Sequence, residues 1–197
     1  MVIGVTGNLG TGKSTVSALL KEKGAMVIDA DKIAHELMEP GKPAYQDIRE
    51  FFGHSILRED GKIDRKQLGR QVFADKAKLK KLCNILHPLV KEECQEQLQR
   101  ILKRDPKSVV VLDVPLLIES GMKQQVDWVI AVATTLENQL ERSMTRLGLN
   151  KREALQRIQS QMSPLEKSKQ ADFVVSTSGS LDEIKVQIER LWNRLNR

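Results

Sequence analysis

Gly7-Asn8-Leu9-Gly10-Thr11-Gly12-Lys13-Ser14 fits the pattern G-x-x-x-x-G-K-[ST]. It follows the apolar run Met1-Val2-Ile3-Gly4-Val5 and precedes a helix-like stretch from Thr15 to Lys23. Strand, glycine-rich loop and helix in that order are the setting a phosphate-binding P-loop needs. Glycines at 7, 10 and 12 let backbone N–H groups turn inward toward phosphate oxygens, and the start of the helix adds donors and partial positive charge. In that reading Gly10, Thr11, Gly12, Lys13, Ser14 and Thr15 bind ATP. Lys13 reaches the β- and γ-phosphates, and the Ser14 hydroxyl can ligate Mg²⁺.

Outward from the loop, short apolar runs alternate with helical patterns. Strands are expected at about 2–6, 25–29, 109–113, 126–132 and 173–175. Val109-Val110-Val111-Leu112-Asp113 is β-branched and continuous, as in a strand buried on both faces. Five such strands separated by helices imply a parallel sheet covered on both sides. Helix starts are marked by Thr134-x-x-Glu137, Ser163-Pro164-Leu165-Glu166 and Ser180-Leu181-Asp182-Glu183, which fit capping boxes, and by Asn150 with Glu153. Leu181, Ile184, Ile188, Leu191 and Leu195 give the last helix one apolar face. Two stretches exceed a minimal core. Residues 32–105 are helical by pattern, with His87-Pro88 expected to interrupt them. Residues 137–168 form a further helical insertion.

The 197 residues suit one compact domain, with sub-regions at 1–31, 106–136 and 169–197 (core), 32–105 and 137–168. The net charge is +6, and much of the excess lies in 62–104, where 12 Lys/Arg face 5 Asp/Glu. With one Tyr in the chain there is no basic–aromatic platform for single-stranded nucleic acid, so no nucleic-acid partner is expected. No apolar run reaches membrane-spanning length and no signal peptide precedes the first strand, so a cytoplasmic protein is expected. Cys83 and Cys94 make no metal spacing. On one continuous helix they would be about 16 Å apart, too far to bridge, and they read as small core residues in a reducing compartment.

Asp29 and Asp31 fall where the second strand ends, the side of a parallel sheet on which ligands bind. A carboxylate there could deprotonate an acceptor hydroxyl; Asp29 could equally cap a helix beginning near Lys32. Asp113 ends the most hydrophobic strand and matches a Walker B carboxylate holding Mg²⁺ directly or through water, or else caps a helix after Pro115. His35, four residues past Asp31, is an acceptor contact or a surface histidine. Arg142 and Arg146 share one helix face, opposite Leu140, Met144 and Leu147, and Arg157 and Gln161 repeat the spacing. With Arg152 and Lys167 they supply cations that could close over a transferring phosphoryl group, or a solvated surface.

Taken together, the sequence resembles the dephospho-coenzyme A kinases over essentially its whole length. The resemblance is carried by Ile3-Gly4-Val5-Thr6-Gly7 leading into the P-loop, Asp29-Ala30-Asp31 with His35, and His87-Pro88. It continues in Asp113-Val114-Pro115-Leu116-Leu117-Ile118-Glu119, the stretch Arg142 to Gln161, and Ala171-Asp172. It implies a three-layer α/β/α P-loop fold with strand order 2-3-1-4-5, a helical acceptor-binding insertion at 32–105 and a lid at 137–168. It also implies ATP- and Mg²⁺-dependent phosphorylation of the ribose 3′-hydroxyl of dephospho-CoA by a monomer. Asp31 is then the base, Lys13, Arg142 and Arg146 act in catalysis, Thr6, His35 and His87 line the acceptor site, and Ser14 and Asp113 hold the metal. Two positions depart from the family pattern: Leu147, where an acidic residue is usual, and Thr177, where Asn is usual. A nucleoside monophosphate or sugar-acid kinase is the alternative; the former would not need the Asp-Ala-Asp base. A GTPase is excluded by the lack of N-K-x-D, and a dinucleotide fold by Thr15 following Gly10-x-Gly12.

Overall fold

The computed structural model describes residues 1–195. The chain divides into two compact units, Met1–Asp29 with Leu98 onward, and Ala30–Gln97. The sequence places these boundaries at 31/32 and 105/106; the units instead divide at 29/30, where a helix begins at Ala30, and at 97/98, so that the last turns of a long helix belong to the first unit.

In the first unit, β1 (Val2–Thr6), β2 (Met26–Asp29), β3 (Val110–Asp113), β4 (Trp128–Ala133) and β5 (Phe173–Ser176) form one parallel sheet in the order β2-β3-β1-β4-β5. All five residues of β1 are buried, as are all four of β3, because strands at the middle of a sheet covered on both sides have no wet face. The edge strands differ: Met26 and Val174 are each half exposed. One face packs Ile3, Val5, Val111, Ile130 and Val132 against α1 (Lys13–Glu22), through Val16, Leu19 and Leu20, and against the last helix (Leu181–Leu195), through Ile184, Ile188 and Leu191. On the opposite face Gly4 leaves room for the chain after β3. A Cβ there would stand 2.5 Å from Leu117 Cδ2, so a side chain in this central strand would displace the packing.

The second unit is helical: α2 (Ala30–Leu37), α3 (Pro43–Phe52), α4 (Arg65–Ala74) and most of α5 (Lys76–Arg104). Met38, Ala44, Ile48, Phe52, Ile56, Ile63, Leu68 and Val72 form its core, with Leu79, Leu82, Ile85, Leu86 and Leu89 of α5 packed on them. Three expectations change here. Helix α2 starts at Ala30, not near Lys32, so Asp31 lies in its first turn. An antiparallel bridge pairs Leu57 with Ile63 inside the helical stretch, closing a turn at Gly61. Helix α5 also runs unbroken through His87-Pro88. Pro88 and Asn84 both face solvent, so the Asn84 carbonyl that loses its Pro88 donor is open to water while Leu86 and Leu89 stay in the core. Cys83 and Cys94 both lie on this one helix and neither is in a disulfide; burial pushes the Cys83 thiol up from its ordinary value.

The remaining helices of the first unit are α6 (Leu136–Leu147), α7 (Lys151–Gln159) and α8 (Pro164–Lys169), with the Leu181–Leu195 helix as α9. Asn150 and Ser163 make the expected capping boxes, and Ser180 exchanges hydrogen bonds with Glu183. Helix α6 is capped one residue later than the pattern suggests. Thr135, not Thr134, accepts from Asn138 N at 3.2 Å, which leaves Glu137 out of a box.

Candidate active site

The loop from Gly7 to Gly12 is a tight turn held from several sides. Thr11 folds back on Asn8, its N and Oγ1 donating to Asn8 O at 3.1 and 2.8 Å. Gly10 and Gly12 have φ of +75° and +81°, the left-handed region. Gly10 is also closed to side chains: a Cβ would lie 2.5 Å from Gln139 O. Gly12 is the N-cap of α1, so the loop runs directly into the helix start, where unpaired N–H groups and the helix dipole favour a phosphate.

Beside the loop stands Asp113. Register pairs Val5 with Asp113 and Asp29 with Asp113, so the carboxylate-bearing ends of β2 and β3 are neighbours next to the strand that feeds the P-loop. Asp113 is 3% exposed. One carboxylate oxygen takes an ion pair from Lys13 Nζ; the other accepts from Ser17 Oγ at 2.7 Å. Ser17, one turn past Lys13 on α1, was not legible as a site residue: a Ser within a helical pattern carries no signal until its partner is known. Ser14 is exposed on the first turn of the same helix. The sequence-predicted P-loop and Asp113 are therefore brought together.

The arginines separate. Arg142 is not a cation held away from the loop. Its guanidinium donates to Thr177 Oγ1 at 3.0 Å and Thr177 O at 2.8 Å, and approaches Gly10 O at 3.5 Å. Thr177, 1% exposed, in turn donates to Thr11 O at 2.6 Å. This threonine uses one hydroxyl to join the loop after β5, the P-loop and α6. Arg146 is exposed on α6. The face of α6 that is buried is polar, through Gln139 and Ser143, while Met144 and Leu147 are about 40% exposed. This polar face meets the P-loop at Gly10, where Gln139 and Ser143 stand closest; Ser143 Oγ donates within the helix to Gln139 O at 2.6 Å, and the buried Gln139 Oε1 has no hydrogen-bond partner among the described residues. Lys167, read with the lid cations, is not at the surface either. It is 1% exposed and bonded to Pro115 O, Glu119 and Thr6. Thr6 is fully buried, its hydroxyl donating to Pro115 O at 2.9 Å.

In the second unit, Asp31 and His35 are exposed and four residues apart on α2, on the side away from buried Ile33. His35 also borders a cavity of about 350 Å³ with Met38, Glu39, Arg58, Ile63, Asp64, Arg65 and Lys66. His87 is half-buried on α5.

Comparison with known proteins agrees with this geometry. A family model described as dephospho-CoA kinase matches residues 1–183. The chain is 47% identical to the dephospho-CoA kinase of Symbiobacterium thermophilum, covering 97% of this chain and 80% of that protein. It is 46% identical to that of Bacillus cereus (strain ATCC 10987 / NRS 248), covering 98% of each. Among solved structures, dephospho-CoA kinase from Campylobacter jejuni superposes with a TM-score of 0.69 at 33% identity over 98% of this chain and 96% of that one. Shikimate kinase from Aquifex aeolicus shares the fold, with a TM-score of 0.53 at 18% identity over 98% of this chain and 96% of that one. With a five-stranded parallel sheet in the order 2-3-1-4-5, a P-loop running into α1 and Asp113 in register beside it, this chain belongs to the dephospho-CoA kinase family, the ATP-dependent kinases that phosphorylate dephospho-CoA in the last step of coenzyme A biosynthesis.

Proposed function

We propose that this chain transfers the γ-phosphoryl group of ATP to the ribose 3′-hydroxyl of dephospho-CoA, with Asp31 as the base. The observation that carries the reading is the convergence of Lys13 and Ser17 on Asp113 beside the P-loop, within a chain of this family. The P-loop N–H groups and the start of α1 hold the phosphates. Lys13, paired with Asp113 in this structure, stands where the loop enters α1, and its flexible side chain turns its charge to the β- and γ-oxygens when they bind. The acceptor oxygen attacks the γ-phosphorus, the bond to the β-phosphate bridging oxygen breaks, ADP leaves, and the hydroxyl proton passes to Asp31.

The donors available for Mg²⁺ are the exposed Ser14 hydroxyl and the Asp113 carboxylate. Among the described residues no group of three or more His, Cys, Asp or Glu could hold a metal on its own. Two oxygen donors suit a hard ion that keeps its waters and arrives with the triphosphate. Bound there, it would neutralise charge on the phosphate oxygens.

Thr6, His35 and His87 are proposed acceptor-side residues on the strength of the family pattern. Thr6 would act from behind, by fixing the Pro115 turn, since its hydroxyl is buried. Arg142 and Arg146, within a lid of about 137–168, would serve the transition state: Arg142 through the P-loop it clamps, Arg146 by closing over the phosphates. A cytosolic setting is supported by Cys83 and Cys94, neither of which is in a disulfide, and no helix of the described residues is long and apolar enough to cross a membrane. Action as a monomer is part of the same proposal.

The test is ADP release with dephospho-CoA, AMP, CMP and gluconate offered separately. Turnover is expected with dephospho-CoA; equal or faster turnover of a monophosphate overturns the acceptor assignment.

A further inference from the structure

We propose that Lys167 is a positioning residue for phosphoryl transfer, tying the root of the lid and the start of the P-loop to the turn that carries Asp113. In sequence it is one lysine of the polar run Glu166 to Lys169. In the structure its side chain is 2% exposed. Lysine is almost never so buried without partners, and here the ammonium's three donors meet three acceptors. They are Pro115 O at 2.5 Å, Glu119 Oε2 at 3.3 Å and Thr6 Oγ1 at 3.4 Å, with Glu119 Oε1 in ion-pair contact at 3.0 Å. Thr6 Oγ1 spends its own proton on Pro115 O, so the three acceptors form one cluster.

The places joined matter more than their number. Thr6 immediately precedes Gly7, and Pro115 is two residues past Asp113. Lys167 therefore bridges the two strand ends from which the phosphate machinery hangs. On its other side Glu119 accepts from Met162 N at 3.2 Å. The segment around Met162 is in turn fastened to the P-loop, with Asn8 Nδ2 donating to Met162 O and Leu9 N to Gln161 Oε1, both at 2.9 Å. A closed circuit results: P-loop, residues 161–162, Glu119, Lys167, Thr6 and back to the P-loop. Its members are up to 161 residues apart in sequence. A buried ion pair fixes geometry better than it stabilises a fold, and burial here pushes the Lys167 ammonium below the usual lysine range, against the opposing pull of Glu119. Lys167 touches no group assigned to phosphate or acceptor other than Thr6, itself buried, so its influence on the reaction runs through the placement of Lys13, Ser14 and Asp113. The proposal rests on those three acting at the phosphates, as the proposed function has them do.

The test compares Lys167→Met, Lys167→Arg and wild type, each checked for folding by circular dichroism. For Lys167→Met, kcat is expected to fall about 10- to 100-fold, the size of effect an ångström of misplacement produces. Equilibrium binding of a non-hydrolysable ATP analogue should stay within about threefold, since the binding groups remain. Lys167→Arg keeps the donors and should recover much of kcat. The amides of Leu9 and Met162 should lose hydrogen-exchange protection in Lys167→Met. If that variant does not fold, Lys167→Met with Glu119→Gln, which strands no carboxylate, should fold and show the same loss. In wild type, both amides should exchange more slowly than the exposed amides of α7 whether or not any variant folds. Wild-type kcat in a folded variant, a parallel fall of kcat and nucleotide affinity, or fast exchange at Leu9 and Met162 in wild type each overturns the proposal. Failure of the acceptor reading would look different: wild type itself would not phosphorylate dephospho-CoA, while the exchange result at Leu9 and Met162 would stand.

Discussion

The two units keep their polar groups in opposite places. Thr6, Asn8, Thr11, Ser17, Asp113, Gln139, Ser143, Lys167 and Thr177 are the buried polar and charged residues among those described, and all of them belong to the first unit. The second unit is closed by an apolar core, and its charges stand at the surface, several of them around the His35 cavity. A buried polar group costs stability unless it is bonded, and a chain bears that cost where it needs fixed geometry. The phosphate site needs it, because donors set in place beforehand do not have to reorganise as charge moves in the transition state. In its proposed role as acceptor unit, the second unit, built on apolar contacts, can present polar side chains to a long, flexible substrate without locking each one. In the proposed mechanism the first unit holds the phosphate machinery, and the second adds the base Asp31 to an acceptor grip.

Substitutions can break or sharpen this contrast. The largest effect is expected from Lys13→Ala, which removes the charge on the phosphates and leaves Asp113 with Ser17 alone. Turnover should fall at least about 10³-fold, roughly 4 kcal/mol of transition-state stabilisation; steady-state ADP release checks it, and activity within tenfold of wild type would remove the P-loop from the chemistry. Asp31→Asn, on the second unit, should lower kcat about 10²- to 10³-fold as the loss of a base does, with KM for ATP nearly unchanged. A large rise in that KM at constant kcat would place Asp31 at the nucleotide instead and blur the division between the units.

Two glycines with the same φ of +75° make a matched pair for stability. At Gly10 a Cβ would stand 2.5 Å from Gln139 O, whereas at Gly61 nothing lies within 4 Å. Gly10→Ala should cost about 3 kcal/mol, strain plus clash, or about 6–12 °C in Tm. Gly61→Ala should cost about 1 kcal/mol, strain alone, or about 2–4 °C. Equal shifts in thermal melts would show the P-loop packing to be no tighter than the outer turn. The smallest effect is expected at the α4 cap. Asp64 accepts from Gln67 N at 3.0 Å and Lys66 N at 2.9 Å, and these bonds, the one from Gln67 first, hold its carboxyl below the ordinary aspartate value. A depressed carboxyl stabilises the fold above its unfolded value and loses that contribution as pH falls through the folded one. Asp64→Ala should therefore lower Tm slightly at neutral pH, and the gap to wild type should narrow as the pH is taken below about 4; a gap constant with pH would mean that the cap acts without its charge.

The sequence by itself determined the features written in neighbouring residues. The P-loop, the five strands and the capping boxes at Asn150, Ser163 and Ser180 depend on local spacing, since a turn, a strand or a cap is decided within a few positions. The carboxylate at the end of β3 was legible for the same reason. Tertiary structure alone decided what Lys167, Ser17, Arg142 and Thr177 do. Their partners lie 35 to 166 residues away, and Lys, Ser, Arg and Thr look alike in sequence whether they face water or a buried carbonyl. Even Pro88 shows the limit: its helix-breaking tendency is local, but whether the helix breaks depends on which side of α5 meets the core and which meets water.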